Sequence, residues 1–396
     1  MPDRSTPALS RARWITIAIV ALIALRIVAA LVLANAGIEK DDNILGGDAR
    51  RYDEISNSQG TAYRDFEVEY PPVTLALIKA THGHDRQATL TGLILTQLAL
   101  DLGCIAVLWW AWSKRTALAY LVLSAPLVLF PFLYVRIDLL SVFLATLGLG
   151  LARRGLERSG GVALAVSVFA KVWPVVVAPV LLIERKTKAT ITATIGVIVG
   201  AVAWVAWVGT TGPEQVLSFR GAKGWQIESL PGIWFHVTDA QRSHVESGAW
   251  RTFATMPGWS RPVLTALSLG TVLLAWGLAY RRRRAGDDDS VVYGAAPLVS
   301  VLGLLIFAPI LSPQYILWML PWAAITVAAG NRVQGWLTLV VTALSTYIFA
   351  TIHAQVDGRW FAVGPVVVRD ALLVVMLVVG VVQLWRSPTA TASPSA

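Results

Sequence analysis

The stretch Gly46-Gly47-Asp48-Ala49-Arg50-Arg51-Tyr52-Asp53-Glu54-Ile55 brings a carboxylate, a guanidinium and a phenol close together. Asp48, Arg51, Tyr52 and Ile55 fall at i, i+3, i+4 and i+7, so they share one face of a helix. An ionised carboxylate held there can take a proton, and the arginine and tyrosine beside it can bind oxyanions or hydroxyls. A plainer alternative stays open. An acid in the first turn of a helix also serves as a cap, which the helix dipole favours. Asp53 and Glu54 read as a solvated face of the same helix.

Further chemistry is scattered along the chain. Gly60 to Pro72 ends in Glu69-Tyr70-Pro71-Pro72, a stiff lead into a short apolar stretch. Arg136 and Asp138 stand two residues apart, suited to a structural ion pair or to a substrate contact. Lys171 interrupts an apolar run, where a lysine is costly unless it meets a cavity, a partner or the headgroups. Arg220 and Lys223 are rival cations for an anionic ligand. Beside them Trp225 offers an aromatic face, and Gln226, Glu228 and Ser229 offer hydrogen-bonding groups. Gln314 and Tyr315 are similar candidates, although Ser312-Pro313-Gln314-Tyr315 also reads as a helix start. Metal binding has little support. Asp41-Asp42 and Asp287–Asp289 lack further ligands, the second group balances Arg281–Arg284, and His82, His84, His236, His244 and His353 have no partners at ligand spacing.

The elements that must position these residues follow from composition. The chain has 396 residues, 56% hydrophobic and 14% charged, with a mean hydropathy of +0.62. These values exclude a soluble domain, a disordered chain and a disulfide scaffold, and Cys104 is the single cysteine. Apolar residues lie in blocks long enough for a helix to cross about 30 Å of hydrocarbon. The blocks are Trp14–Ala34, Thr89–Trp112, Ala117–Tyr134, Leu139–Leu151, Val162–Ile183, Ala189–Val208, Pro262–Tyr280, Val291–Leu311, Tyr315–Ala329, Val333–Thr351 and Val366–Trp385. Many of the 17 tryptophans sit near block ends, as an interfacial belt requires. The net charge of +9 reflects orientation in a membrane, with no nucleic-acid partner implied.

Basic breaks at Lys114-Arg115, Arg153–Arg158, Arg185–Lys188, Arg281–Arg284, Arg332 and Arg386 belong in the cytoplasm. Arg153–Arg158 and Arg185–Lys188 share a side only if Val162–Ile183 is a hairpin with its apex near Lys171, Trp173 and Pro174. The same parity puts Arg136 and Asp138 at an outer apex. The expectation is an all-α polytopic protein of the plasma membrane with about 12 crossings. Both termini are cytoplasmic and the polar site faces outward. Residues 1–13 form a cytoplasmic segment, 14–385 the membrane domain, and 386–396 a disordered tail. Long outer loops run over 35–87 and 209–261, and the first holds, from Glu39 to Glu69, nine of the 24 acidic residues. Within it Val73–Lys79 is too short to span and reads as a re-entrant or interfacial helix.

Asp48 after the first helix, then Gly60-x-x-Tyr63-Arg64-Asp65-Phe66-x-x-Glu69-Tyr70-Pro71-Pro72, resembles the actinobacterial glycosyltransferase 87 family of GT-C membrane enzymes. Arg136-Ile137-Asp138, Lys171-Val172-Trp173-Pro174, Gly224 to Ser229, and Leu311-Ser312-Pro313-Gln314-Tyr315 are similar too. The resemblance spans about Trp14 to Trp385. It implies a GT-C fold and transfer of a sugar, mannose foremost and arabinofuranose next, from a polyprenyl-phosphate donor. The acceptor is a glycolipid or glycan hydroxyl outside the cytoplasm, and the anomeric carbon inverts. Asp48 matches the family's base. Lys171, Arg220 and Lys223 become phosphate contacts, and Arg51, Tyr52, Glu69, Tyr70, Arg136, Asp138, Trp225, Gln226, Glu228, Gln314 and Tyr315 substrate contacts. No cofactor or metal is expected. A transporter or lipid-carrier flippase is the alternative, since many helices with intramembrane Lys and Asp suit that class.

Overall fold

The structure is a computed structural model that describes residues 6–36, 46–129, 132–218, 220–238, 243–253, 257–287 and 289–386. Helices α1 (Thr6–Asn35), α2 (Gly46–Asn57), α3 (Pro72–Ala80) and α4 (Arg86–Ala111) lead to α5 (Lys114–Leu123) and α6 (Ala125–Leu129). A 3₁₀ turn at Phe132–Val135 precedes α7 (Leu139–Arg153) and α8 (Glu157–Ala170). A second 3₁₀ turn, Trp173–Val177, precedes α9 (Pro179–Ile183), α10 (Thr187–Val208) and α11 (Thr211–Leu217). The next segment holds β1 (Trp225–Gln226), α12 (Leu230–Thr238), β2 (Ser243–Glu246) and β3 (Ala249–Thr252). After α13 (Ser260–Arg284) come a π turn at Val291–Ala295, α14 (Ala296–Ile306) and a 3₁₀ stretch at Pro313–Met319. The chain closes with α15 (Leu320–Ala328), α16 (Arg332–Ala350), α17 (Ile352–Val356) and α18 (Trp360–Trp385).

Among the described residues six helices are long and apolar enough to cross a membrane: Arg13–Asn35 of α1, then α4, α10, α13, α16 and α18. The other apolar blocks fold as shorter pieces, for local reasons. Ala117–Tyr134 breaks at Ser124, where α5 ends and the Pro126 segment begins. Tyr315–Ala329 opens as a 3₁₀ stretch from Pro313 before it becomes α15. Proline removes a backbone donor and crowds the preceding turn, so each such site starts or interrupts a helix. Two boundaries differ most from the sequence expectation. Helix α1 already begins at Thr6, and α18 begins at Trp360, with Pro365 inside it. Residues 387–396 and Asp41-Asp42 lie outside the described residues.

The interior of the bundle is α14 and α15, buried along almost their whole length. Helices α10 and α13 are largely exposed, with Ile191, Ile195, Val199, Leu269 and Leu273 facing outward. Exposed side chains of that kind suit lipid. Small residues let α8 pack closely on its neighbours. A Cβ on Gly160 would meet the Ala152 nitrogen at 2.8 Å, and one on Gly161 would meet the Ala193 nitrogen at 3.0 Å.

The ion pairs sort the bundle into two ends. At one end Arg153 pairs with Asp289 at 2.8 Å, Arg283 with Glu184 at 2.8 Å, and Arg282 with Asp287. There too the backbone N–H of Lys188 donates to Glu157 at 3.0 Å. The loops on either side of Val162–Ile183 therefore meet, as a hairpin requires. Its break falls at Lys171, which caps α8 in an extended conformation before Trp173-Pro174 opens the next turn.

Candidate active site at the hairpin apex

The opposite end carries the polar residues. Asp48 lies in the first turn of α2, so a cap-like position and a chemical one coincide. Tyr52 and Ile55 of the same face are buried, which fixes how α2 sits on the bundle. Asp48 forms an ion pair with Arg136, and the Tyr52 hydroxyl donates to the same carboxylate oxygen at 3.4 Å. The Asp48 side chain remains 31% exposed, so its other oxygen can meet an incoming hydroxyl.

Arg136 and Asp138 do not pair with each other; each reaches a different element. Arg136 turns to Asp48 and lays its guanidinium over Phe349, 5.0 Å from the ring centroid. Asp138 accepts from Lys171 Nζ at 2.6 Å and from the Trp318 indole N–H at 2.7 Å. Lys171 also faces the Tyr315 and Trp318 rings at 4.7 and 5.1 Å. Only 18% of its side chain is exposed, so it is a paired cation and not a lysine reaching for headgroups. Trp173 stacks on Trp318 with centroids 5.5 Å apart and donates to Ser141 at 3.0 Å. The hairpin apex is thereby tied to α7 and to the Pro313–Met319 stretch. Helix α3 buttresses it, because Thr74 donates to the Ala170 carbonyl at 2.6 Å.

A second group borders the first. Arg51 grips Glu69 through two hydrogen bonds, 3.1 and 2.8 Å long, and Arg220 approaches the same carboxylate at 3.6 Å. Tyr52 and Tyr70 meet edge to face, 5.8 Å between centroids, linking this group to Asp48. Burial, joined by the neighbouring phenol and the charges of Asp138 and Glu69, pushes the Tyr52 hydroxyl well above its ordinary range. It acts as a neutral donor at any working pH. Arg220 has a left-handed backbone, φ 58°, followed by Gly221 at 74°. A non-glycine residue held there stores local strain, a feature concentrated at functional sites.

The three-stranded sheet, ordered β1-β3-β2, brings Gln226 and Glu228 to the same region. Gln226 is buried and donates to Glu228 at 2.6 Å and to Ser312 at 2.9 Å. Burial drives the Glu228 carboxyl up to about 7, against the pull of Arg369, the Gln226 amide and Arg136. A carboxyl with that property changes charge near neutrality. Trp225 is buried with Arg261 over its ring at 5.1 Å, so one face is already covered. Glu246 accepts the backbone N–H groups of Lys223 and Gly224. The Lys223 residue itself is exposed at the rim, and Gln314 is half-buried.

Several contributors stand outside the sequence expectation. Trp318 and Ser141 gave no spacing signal. Arg369 and Asp370 did: two charges inside the apolar block of α18 are costly unless paired and useful. Both are buried, 2.8 Å apart, and Arg369 also donates to the Glu228 carbonyl. His236 is buried between Ser243 at 2.9 Å and the Gln355 carbonyl at 2.6 Å. Among the described residues no group of three or more His, Cys, Asp or Glu is placed to hold a metal ion.

A multi-pass membrane protein whose interlocked acid and cation pairs gather at one end is thus defined. The sequence profile of glycosyltransferase family 87 matches residues 69–309. The chain belongs to that family, and it is a membrane glycosyltransferase. The match takes in Glu69, Arg136, Asp138, Lys171 and the 220–229 segment, and it begins after Asp48. No curated protein matches the chain. Among solved structures, ArnT from Cupriavidus metallidurans in the apo state is similar at a TM-score of 0.48 and 12% identity. That similarity covers 94% of this chain and 77% of that one.

Proposed function

We propose that the protein transfers a sugar, mannose foremost, from a polyprenyl-phosphate donor to a hydroxyl of a glycolipid or glycan on the non-cytoplasmic face. One observation carries this reading. Asp48 and Lys171, far apart in sequence, are joined through Arg136 and Asp138, two residues from each other on one apex. A carboxylate and a cation linked in this way support a pairing of base with phosphate-binding group.

In this mechanism the acceptor oxygen attacks the anomeric carbon from the face opposite the phosphate. The new C–O bond forms as the bond to the phosphate oxygen breaks, and the configuration inverts. The acceptor proton passes to Asp48, and the bonding electrons leave with the polyprenyl phosphate. A phosphate is already a stable leaving group, so no covalent intermediate is needed. Lys171 has donors to spare beyond the one given to Asp138 and neutralises the departing charge, with Arg220 at the border. Arg136 holds Asp48 in place. Gln226 and Glu228 contact sugar hydroxyls. The acid-rich end faces outward because the basic loops gather at the other end, where they satisfy the positive-inside rule.

The test supplies purified enzyme in nanodiscs with labelled polyprenyl-phosphate mannose and a glycolipid acceptor. Transfer with inverted anomeric configuration supports the reading. Movement of the donor across the bilayer without transfer supports a flippase instead.

A further inference from the structure

A buried network in the membrane core stands apart from the site and reaches toward it. Asp101, in the middle of α4, accepts three hydrogen bonds: from Arg26 at 3.0 Å, Tyr120 at 2.8 Å and Tyr134 at 3.0 Å. Arg26 completes its own set with the Leu121 carbonyl at 3.2 Å and with Ser124. Arg26, Asp101 and Tyr120 and Tyr134 are all fully buried. For holding the bundle together, an ion pair here has little advantage over well-packed apolar residues. What an ion pair does add is direction, since it accepts one arrangement of donors. Tyr134 is the one donor of the three that does not sit on an α-helix. It belongs to the 3₁₀ turn Phe132–Val135, a short segment with few backbone bonds of its own, two residues before Arg136.

We propose that Asp101 and Tyr134 are positioning residues: the Arg26–Asp101 pair fixes the 3₁₀ turn, and through it the placing of Arg136 on Asp48. The inference rests on Asp48 being the base of the transfer reaction. Tyr120, on α5, bonds the same carboxylate without touching the apex, so it provides the comparison. Tyr134→Phe and Tyr120→Phe each remove one hydrogen bond to Asp101 and leave the packing in place.

In nanodiscs, with labelled polyprenyl-phosphate mannose, Tyr134→Phe lowers kcat about ten-fold or more while the donor KM changes less than about three-fold. Tyr120→Phe lowers kcat by less than about three-fold, although both variants lose similar thermal stability. Equal effects of the two variants on kcat, or no effect of Tyr134→Phe, overturn the proposal. So does a loss of Tyr134→Phe activity that tracks its loss of stability. Absence of transfer by the unmodified enzyme strikes the mechanism itself and is seen before either variant is compared.

Discussion

Asp48 is the residue whose removal separates chemistry from architecture most cleanly. Asp48→Asn keeps the size of the side chain and its contact with Tyr52 but cannot take a proton. Its kcat should fall about 10³-fold, within the range for loss of a general base, with the helix content unchanged by circular dichroism. Lys171→Met has a different signature. It strands Asp138, which is 3% exposed, and breaking such a pair costs about 3–5 kcal/mol. The Lys171→Met, Asp138→Leu double variant removes both charges and should recover stability without recovering donor binding, read as thermal midpoint against donor KM. Glu228 supplies a pH test. Its carboxyl, held up to about 7 by burial, stays protonated in the native state while the unfolded chain ionises near its ordinary value. Its contribution to stability is complete below the unfolded pKa and is lost as pH rises through 7. The thermal midpoint of the native protein in detergent should therefore fall over that window relative to Glu228→Gln, and run parallel to it above. At this scale charge scarcity made Lys171 legible, whereas Asp48, one acid among many in its loop, stood out only through the family resemblance. A lysine in an apolar block announces itself, whereas Trp318 is one of 17 tryptophans and only its fold partner Asp138 reveals it.

The elements that carry these residues depend on close approach. Helix α8 ends just before Lys171 and is pressed between α7 and α10 through Gly160 and Gly161. A leucine at Gly161 meets the backbone of α10 at Ala189 and Ala193, so the two helices must part. Gly161→Leu should cost about 1–3 kcal/mol by overpacking and displace Lys171, lowering activity more than Gly270→Ala on α13, where an added Cβ meets nothing nearby. The hairpin itself was readable from charge parity and Pro174, because two basic loops cannot share a side across a single crossing. The start of α18 was not. Pro365 looks like a boundary in sequence, yet the helix absorbs it from Trp360 onward. The short strands β1 to β3 were equally hidden: their pairing joins Trp225 to Thr252, a contact with no local pattern.

For the whole molecule, orientation is the claim that charge sorting makes. Cys104 is the single cysteine and is buried, so the chain accepts one reporter cysteine at a time. An impermeant maleimide added to intact cells should label Val245→Cys, on the β2–β3 hairpin, and leave Ala285→Cys untouched until the cells are permeabilised. The reverse pattern would invert the topology and move the site to the cytoplasm. Polar residues from the first outer loop, the hairpin apex and the sheet then share one compartment with the acceptor. Whether they act together is settled by glycosyl transfer itself. The measurement pairs the unmodified protein with Asp48→Asn in nanodiscs, each given labelled polyprenyl-phosphate mannose and a glycolipid acceptor. Transfer by the first and about 10³-fold slower transfer by the second is the expected result. Equal transfer by both contradicts the assignment of Asp48 as the base.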